Sequence, residues 1–156
     1  MLDPRRRFLG RGAGWTVLAL AAAAGIVVPG RASASAWDAR LFDTTSVDDT
    51  ARLLGDAVPV PSAAIVLSAP EIAEDGAVVP VAVTSALPAV ERIAILVEKN
   101  PHALAALFTI PDGTDAAVAT RVKLAETTDV YALVQAGGRL HYARRSVKVT
   151  LGGCGG

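Results

Sequence analysis

The chain has one cysteine, two histidines and a single long apolar run, and each shortage excludes a class of function. With one thiol, Cys154, no internal disulfide can form. There is no C-x-x-C-H haem motif, no Cys/His cluster and no glycine-rich nucleotide loop, so no cofactor is expected. His102 follows Pro101 in a turn and His141 sits in a β-type run; isolated histidines of this kind are ordinary surface or core residues rather than metal ligands. Glu71-Ile72-Ala73-Glu74 offers paired acids, but in a Pro- and Gly-bounded loop with no base or nucleophile nearby. Serine and aspartate are too common to define a Ser-His-Asp constellation without geometry.

The one apolar run belongs to an address. Arg5-Arg6-Arg7-Phe8-Leu9 fits the twin-arginine export pattern, an apolar stretch runs from Trp15 to Val28, and Pro29 and the small residues 32–36 follow. These are the three parts of a cleavable signal peptide. The stretch is shorter than the ~20 residues of a membrane span. Residues 1–36 are therefore expected to be removed after Ala34 or Ala36, leaving a soluble domain without a membrane anchor in the periplasm. The twin-arginine route moves proteins already folded. With no cofactor motif to explain folding before export, a partner subunit assembled beforehand and carried out together is the expectation.

The formal net charge of zero conceals an imbalance. Five of the 15 basic residues (Arg5, Arg6, Arg7, Arg11 and Arg31) and one of the 15 acids (Asp3) lie in residues 1–36, so 10 cations and 14 anions remain. A mildly acidic domain is a poor ligand for nucleic acid, where affinity comes from cations meeting phosphates. After Asp129 come Arg139, Arg144, Arg145 and Lys148 and no acid. Long basic side chains of this kind usually cover a solvated strand face. The alternative is a cationic collar receiving an anion held on the tail.

Residues 37–62 carry a helical candidate: Ser46 as cap, Asp48 and Asp49 in the first turn, and Val47, Ala51, Leu54 and Val58 as one apolar stripe. Gly55 weakens it and Pro59-Val60-Pro61 stops it. From residue 63 to 151 the pattern changes to short β-type runs at 64–67, 78–84, 93–98, 104–110, 118–124, 130–135 and 140–151. Asp75-Gly76, Asn100-Pro101, Pro111-Asp112-Gly113 and Gly137-Gly138 separate them as turn formers. Val79, Val81 and Val83 alternate with other residues, as do Ile93, Ile95 and Val97, which is the period of a strand. About seven such runs without crossover helices predict an all-β, two-sheet sandwich rather than an α/β sheet.

Residues 152–156 read Gly152-Gly153-Cys154-Gly155-Gly156. Glycine loses the most backbone freedom on ordering, and no side chain here can pack, so a mobile arm anchored at Leu151 is predicted. Extended, five residues reach about 16–18 Å. A lone cysteine in an oxidising compartment is either a free reactive thiol or an intermolecular disulfide tether. An unperturbed thiol, with a pKa near 8.5, is only a few per cent thiolate at neutral pH. No His or Asp is adjacent to activate Cys154, and the Gly156 carboxylate would disfavour its thiolate. The chemistry therefore falls to whatever protein the arm enters, which makes this chain a carrier rather than an enzyme.

Pro70-Glu71-Ile72-Ala73-Glu74-Asp75-Gly76 continuing to Val79-Pro80-Val81 resembles the P-x-I-A-E-x-G-x-x-V-P-V segment of the SoxY family, sulfur-carrier subunits of the bacterial thiosulfate-oxidising system. Val97-Glu98-Lys99-Asn100-Pro101 resembles that family's V-E-K-N-P turn, and Lys123-Leu124-Ala125-Glu126-Thr127-Thr128 its K-L-A-E-T-T stretch. The Gly-Gly-Cys-Gly-Gly pattern at 152–156 is the most specific piece. The resemblance implies an immunoglobulin-like sandwich paired with a second β-sandwich subunit, SoxZ, as a heterodimer. It implies covalent sulfur on Cys154: a c-type cytochrome, SoxAX, joins thiosulfate to the thiol, a dimanganese hydrolase, SoxB, releases sulfate, and where present a sulfane dehydrogenase oxidises the remaining sulfur.

Overall fold

The computed structural model describes residues 38–55 and 58–150; the expected signal segment 1–36, the expected anchor Leu151 and the arm 152–156 lie outside the described residues. Among the described residues nine strands form two sheets: β1 Val60–Pro61, β2 Ile65–Ser68, β3 Ile72–Ala73, β4 Val79–Ser85, β5 Val90–Val97, β6 Leu104–Thr109, β7 Ala117–Val122, β8 Thr128–Ala136 and β9 Arg139–Val149. The larger sheet runs β1-β9-β8-β5-β6, with β3 also paired to β9, and the smaller runs β2-β4-β7. Neighbours are antiparallel except β1 and β3, which each run parallel to β9. This is the two-sheet sandwich expected from the strand pattern, and all seven expected runs are strands.

Alternation explains the smaller sheet. Ile65 and Leu67 on β2 and Val79, Val81 and Val83 on β4 point inward and are buried, while the residues between them face out. The larger sheet is buried on both faces, and so Ile93, Ala94, Ile95, Leu96 and Val97 form an unbroken run with at most 1 % exposure. Ile93, Ile95 and Val97 join Val130, Ala132, Val134 and Val147 between the sheets. Ala94 and Leu96 face the other way and meet Leu133, Leu140, Leu41, Ala51 and Leu54.

That second layer is closed by a 3-10 turn, Ala39–Leu41, and a helix, α1, Val47–Leu54. Ser46 caps α1, its side chain accepting from the Asp49 N–H at 3.0 Å. Thr50, the polar residue at the core face, is satisfied by the Ser46 carbonyl at 2.9 Å and the Thr44 hydroxyl at 2.6 Å. One expectation is corrected here. Val58 is not part of the helical stripe: α1 ends at Leu54 with Gly55 as its C-cap, and Val58 is 86 % exposed. Pro59-Val60-Pro61 does more than stop a helix, since Val60 and Pro61 pair with His141 and Tyr142 as β1.

The β8–β9 hairpin turns through Gly137 (φ +55°) and Gly138 (φ +72°), with Ala136 opposite Arg139. Both central residues take the left-handed region, as a two-residue type I′ turn requires. A Cβ at Gly138 would meet no atom within 4 Å, so substitution there costs backbone strain and nothing else. Gly138→Ala is expected to destabilise by about 1–2 kcal/mol, seen as a midpoint lower by roughly 4–8 °C in thermal unfolding followed by circular dichroism.

Candidate functional site

Cys154 and the glycines Gly152, Gly153, Gly155 and Gly156 lie outside the described residues; the described chain leading to them is β9 and Thr150. Strand β9 is the longest of the nine, eleven residues, and pairs with β8 from Arg139 opposite Ala136 to Val147 opposite Thr128. Val147, with 0 % exposure, is its last fully buried side chain. At that point β8 ends, yet β9 stays held for three more residues. The Thr127 hydroxyl replaces the missing strand partner, accepting from the Val149 N–H at 3.0 Å and facing its carbonyl at 3.4 Å. On the opposite edge the Lys148 N–H donates to the Glu71 carbonyl at 2.9 Å and the Thr150 N–H to the Ala73 carbonyl at 3.1 Å. The Thr150 hydroxyl reaches the Ala73 and Glu74 carbonyls at 3.4 and 3.3 Å.

The segments that hold this end are the ones singled out in the sequence. Segments 69–81, 97–101 and 123–128 are separate in the chain but meet at this pole of the sandwich. Asn100 does most of the joining: its side-chain amide donates to the Lys123 carbonyl at 2.7 Å and accepts from the Ala125 N–H at 3.1 Å. The Lys99 N–H donates to the Thr128 hydroxyl at 3.1 Å, and the Lys99 ammonium pairs with Glu126 at 3.4 Å. Buried Leu124 donates its N–H to the Gly76 carbonyl at 2.7 Å, tying the third segment to the first. Thr127 and Thr150 were missed in the sequence. Their only signal was position, one inside a motif and the other at the root of the arm.

The four cations after Asp129 are not gathered around that root. Arg139 stands at the hairpin end of β9, eleven residues from Thr150 and hence about 36 Å away along an extended strand. Arg144 pairs with Asp129 at 3.5 Å and also contacts Tyr131, whose hydrogen bond is the main reason its guanidinium pKa is raised. Arg145 pairs with Glu71 at 3.3 Å. Lys148 alone is both exposed and next to the root. Glu71, one of the paired acids in sequence, is thus engaged with a cation, while Glu74 contributes its backbone carbonyl to Thr150. His102 is exposed in the turn before β6, and His141 is half-buried opposite Val134.

Open hollows mark the body, two of them near the segments described above. One, of about 530 Å³, lies against the smaller sheet beside Pro80, Ala82 and Arg121. The other, of about 440 Å³, lies between the first turn of α1 and the rings of Tyr131 and Tyr142, whose centroids are 6.3 Å apart.

The family model described as sulfur oxidation protein SoxY matches residues 50–154, a span that includes all three convergent segments and runs through Cys154. The solved structure of the sulfur carrier protein SoxY from Chlorobium limicola f thiosulfatophilum is 37 % identical and covers 69 % of this chain and 98 % of its own, with a TM-score of 0.62. Superoxide reductase (neelaredoxin) from Ignicoccus hospitalis is 21 % identical over 55 % of this chain and 79 % of its own, with a TM-score of 0.49, a level from which nothing about activity follows. No curated protein matches the chain. With its sandwich, its convergent turns and the stretch up to Cys154 all inside the matched span, the chain belongs to the SoxY family of sulfur oxidation proteins.

Proposed function

We propose that this chain carries sulfur covalently on Cys154 during thiosulfate oxidation, and that it is the substrate of its partner enzymes rather than an enzyme itself. The observation that carries the reading is the family match extending to the single cysteine, four residues beyond Thr150, the last described residue. Four extended residues put the thiol up to about 13–14 Å from that root. Glycines at 152, 153, 155 and 156 keep the segment narrow enough to enter a partner's active-site channel.

In the first step the thiolate and the outer sulfur of thiosulfate form an S–S bond. Two electrons leave to a c-type cytochrome of the SoxAX kind, and cysteine S-thiosulfonate remains. In the second, a SoxB-like dimanganese hydrolase adds water across the S–SO3 bond, releasing sulfate and two protons and leaving a persulfide. A sulfane dehydrogenase, where the host has one, oxidises that sulfur on the same arm. A SoxZ-like subunit pairs with the sandwich as a heterodimer. Export follows from residues 1–36, removed after Ala34 or Ala36, by the twin-arginine route, which places the carrier in the periplasm.

The test is the intact mass of the periplasmic protein, before and after reduction, from cells grown with and without thiosulfate. Reducible mass additions on Cys154 that depend on thiosulfate are expected. A fixed protein–protein disulfide under both conditions would replace the carrier with a disulfide-tethered assembly module.

A further inference from the structure

The geometry points to Thr127 and Thr150 as positioning residues that fix where the arm begins. This inference rests on the carrier reading for its consequence, but not for its structural content. A strand end normally frays, because its last residues lack a neighbour on one or both sides. Here β8 stops opposite Val147, and the chain from Lys148 to Thr150 should be the part that frays. Two devices hold it instead. The Thr127 hydroxyl takes both backbone polar groups of Val149, at 3.0 and 3.4 Å. Strand β3, only two residues long and paired with no strand but β9, takes the other edge. Its register, Ile72 opposite Lys148 and Ala73 opposite Val149, places the Ala73 and Glu74 carbonyls where the Thr150 N–H and hydroxyl can donate to them.

The clamp determines arm length. With it closed, four residues separate the fixed point from Cys154; with it open, the last fixed residue is Val147 and seven residues separate them. A tether's effective concentration at its target falls as about the −3/2 power of its length, so four to seven residues costs about two-fold. Where one of the added residues must also be ordered inside a partner's channel, the loss rises to about ten-fold. Both hydroxyls bond only to backbone groups, those of Val149, Ala73 and Glu74, so replacing them with valine removes no charge, acid or base that could alter the thiol.

The test compares wild type, Thr127→Val/Thr150→Val and Thr127→Ser/Thr150→Ser, each as the complex with its partner subunit. Amide hydrogen exchange at Val149, whose N–H loses its acceptor, is expected to speed up about ten-fold or more in the valine variant, with a smaller rise at Lys148 and Thr150, which keep their bonds to β3, and with Ile93 to Val97 unchanged. The serine variant keeps the hydroxyls and should exchange as wild type. In thiosulfate-dependent turnover by the cytochrome and hydrolase, KM for the valine variant is expected to rise about two- to ten-fold with kcat little changed. The rate of Cys154 with a small aromatic disulfide reagent should stay the same. Three glycines inserted between Leu151 and Gly152 should raise KM alike with wild-type exchange, which separates arm length from damage to the fold. If the double valine variant does not fold, Thr150→Val, at an exposed position, carries the same readouts. Unchanged exchange at residues 148–150, or released exchange with unchanged KM, would overturn the proposal. Failure of the carrier reading shows differently, as turnover that survives loss of the thiol while exchange still reports the clamp.

Discussion

Replacement of Cys154 by serine is expected to reduce thiosulfate-dependent turnover on the order of a thousand-fold or more while leaving the sandwich intact. The argument is chemical first. The thiolate is the nucleophile and the partner in S–S bond formation, and a hydroxyl offers neither a comparable anion at neutral pH nor a sulfur to be oxidised. A variant that merely slowed docking would retain a residual adduct, whereas serine should show none by intact mass. The structural half of the expectation follows from the sequence of the arm, in which four glycines surround Cys154 and offer no side chain for it to pack against. A substitution away from core, caps and strained backbone usually changes stability by less than about 0.5 kcal/mol, so the thermal midpoint should stay within a few degrees and pairing with the partner subunit should persist. Turnover that survives serine would end the carrier reading. Loss of pairing would point to the disulfide tether, because a tether fails at the assembly step and a carrier only at the chemical one.

Most of the sandwich was legible because its strands carry local information. Val79, Val81 and Val83 announce one buried face, and Gly137-Gly138 announces a hairpin whose backbone only glycine takes comfortably. What was not legible depends on a distant partner. Two-residue strands such as Val60–Pro61 and Ile72–Ala73 have no period to read and exist because β9 offers them an edge. The Val58 error has the same origin: helical spacing alone extends the stripe past Gly55, but nothing in the fold covers it there. At the root of the arm the motifs were visible one at a time. That Asn100 would bridge Lys123 and Ala125, and that Thr127 would stand in for a strand, depends on three segments meeting, which no single stretch of sequence encodes.

The larger sheet's two buried faces give the second large effect. Ile95 and Leu96 are adjacent in β5 and both have 0 % exposure, yet they belong to different layers, Ile95 between the sheets and Leu96 under α1. Truncation of either to alanine removes similar apolar surface and is expected to cost about 2–5 kcal/mol. Position within that range depends on how far the surroundings can close the cavity. Ile95 faces the smaller sheet, whose strands β2, β4 and β7 are tied to one another by backbone ladders, so the hole persists and Ile95→Ala should fall near the top. Leu96 is roofed by an eight-residue helix joined to the sheet mainly through side chains, which can settle inward, so Leu96→Ala should fall near the bottom. At about 4 °C per kcal/mol, the midpoints should drop by roughly 15–20 °C and 8–10 °C respectively. The two side chains point to opposite faces and share no cluster, so a milder pair, Ile95→Val with Leu96→Ala, should be additive within about 0.5 kcal/mol despite adjacency in the chain. Chemical denaturation of wild type, the three single variants and the double variant checks both points. A reversed order would mean that α1 is the rigid layer and the inter-sheet core the yielding one. Strong coupling would mean that the two layers are a single cooperative core.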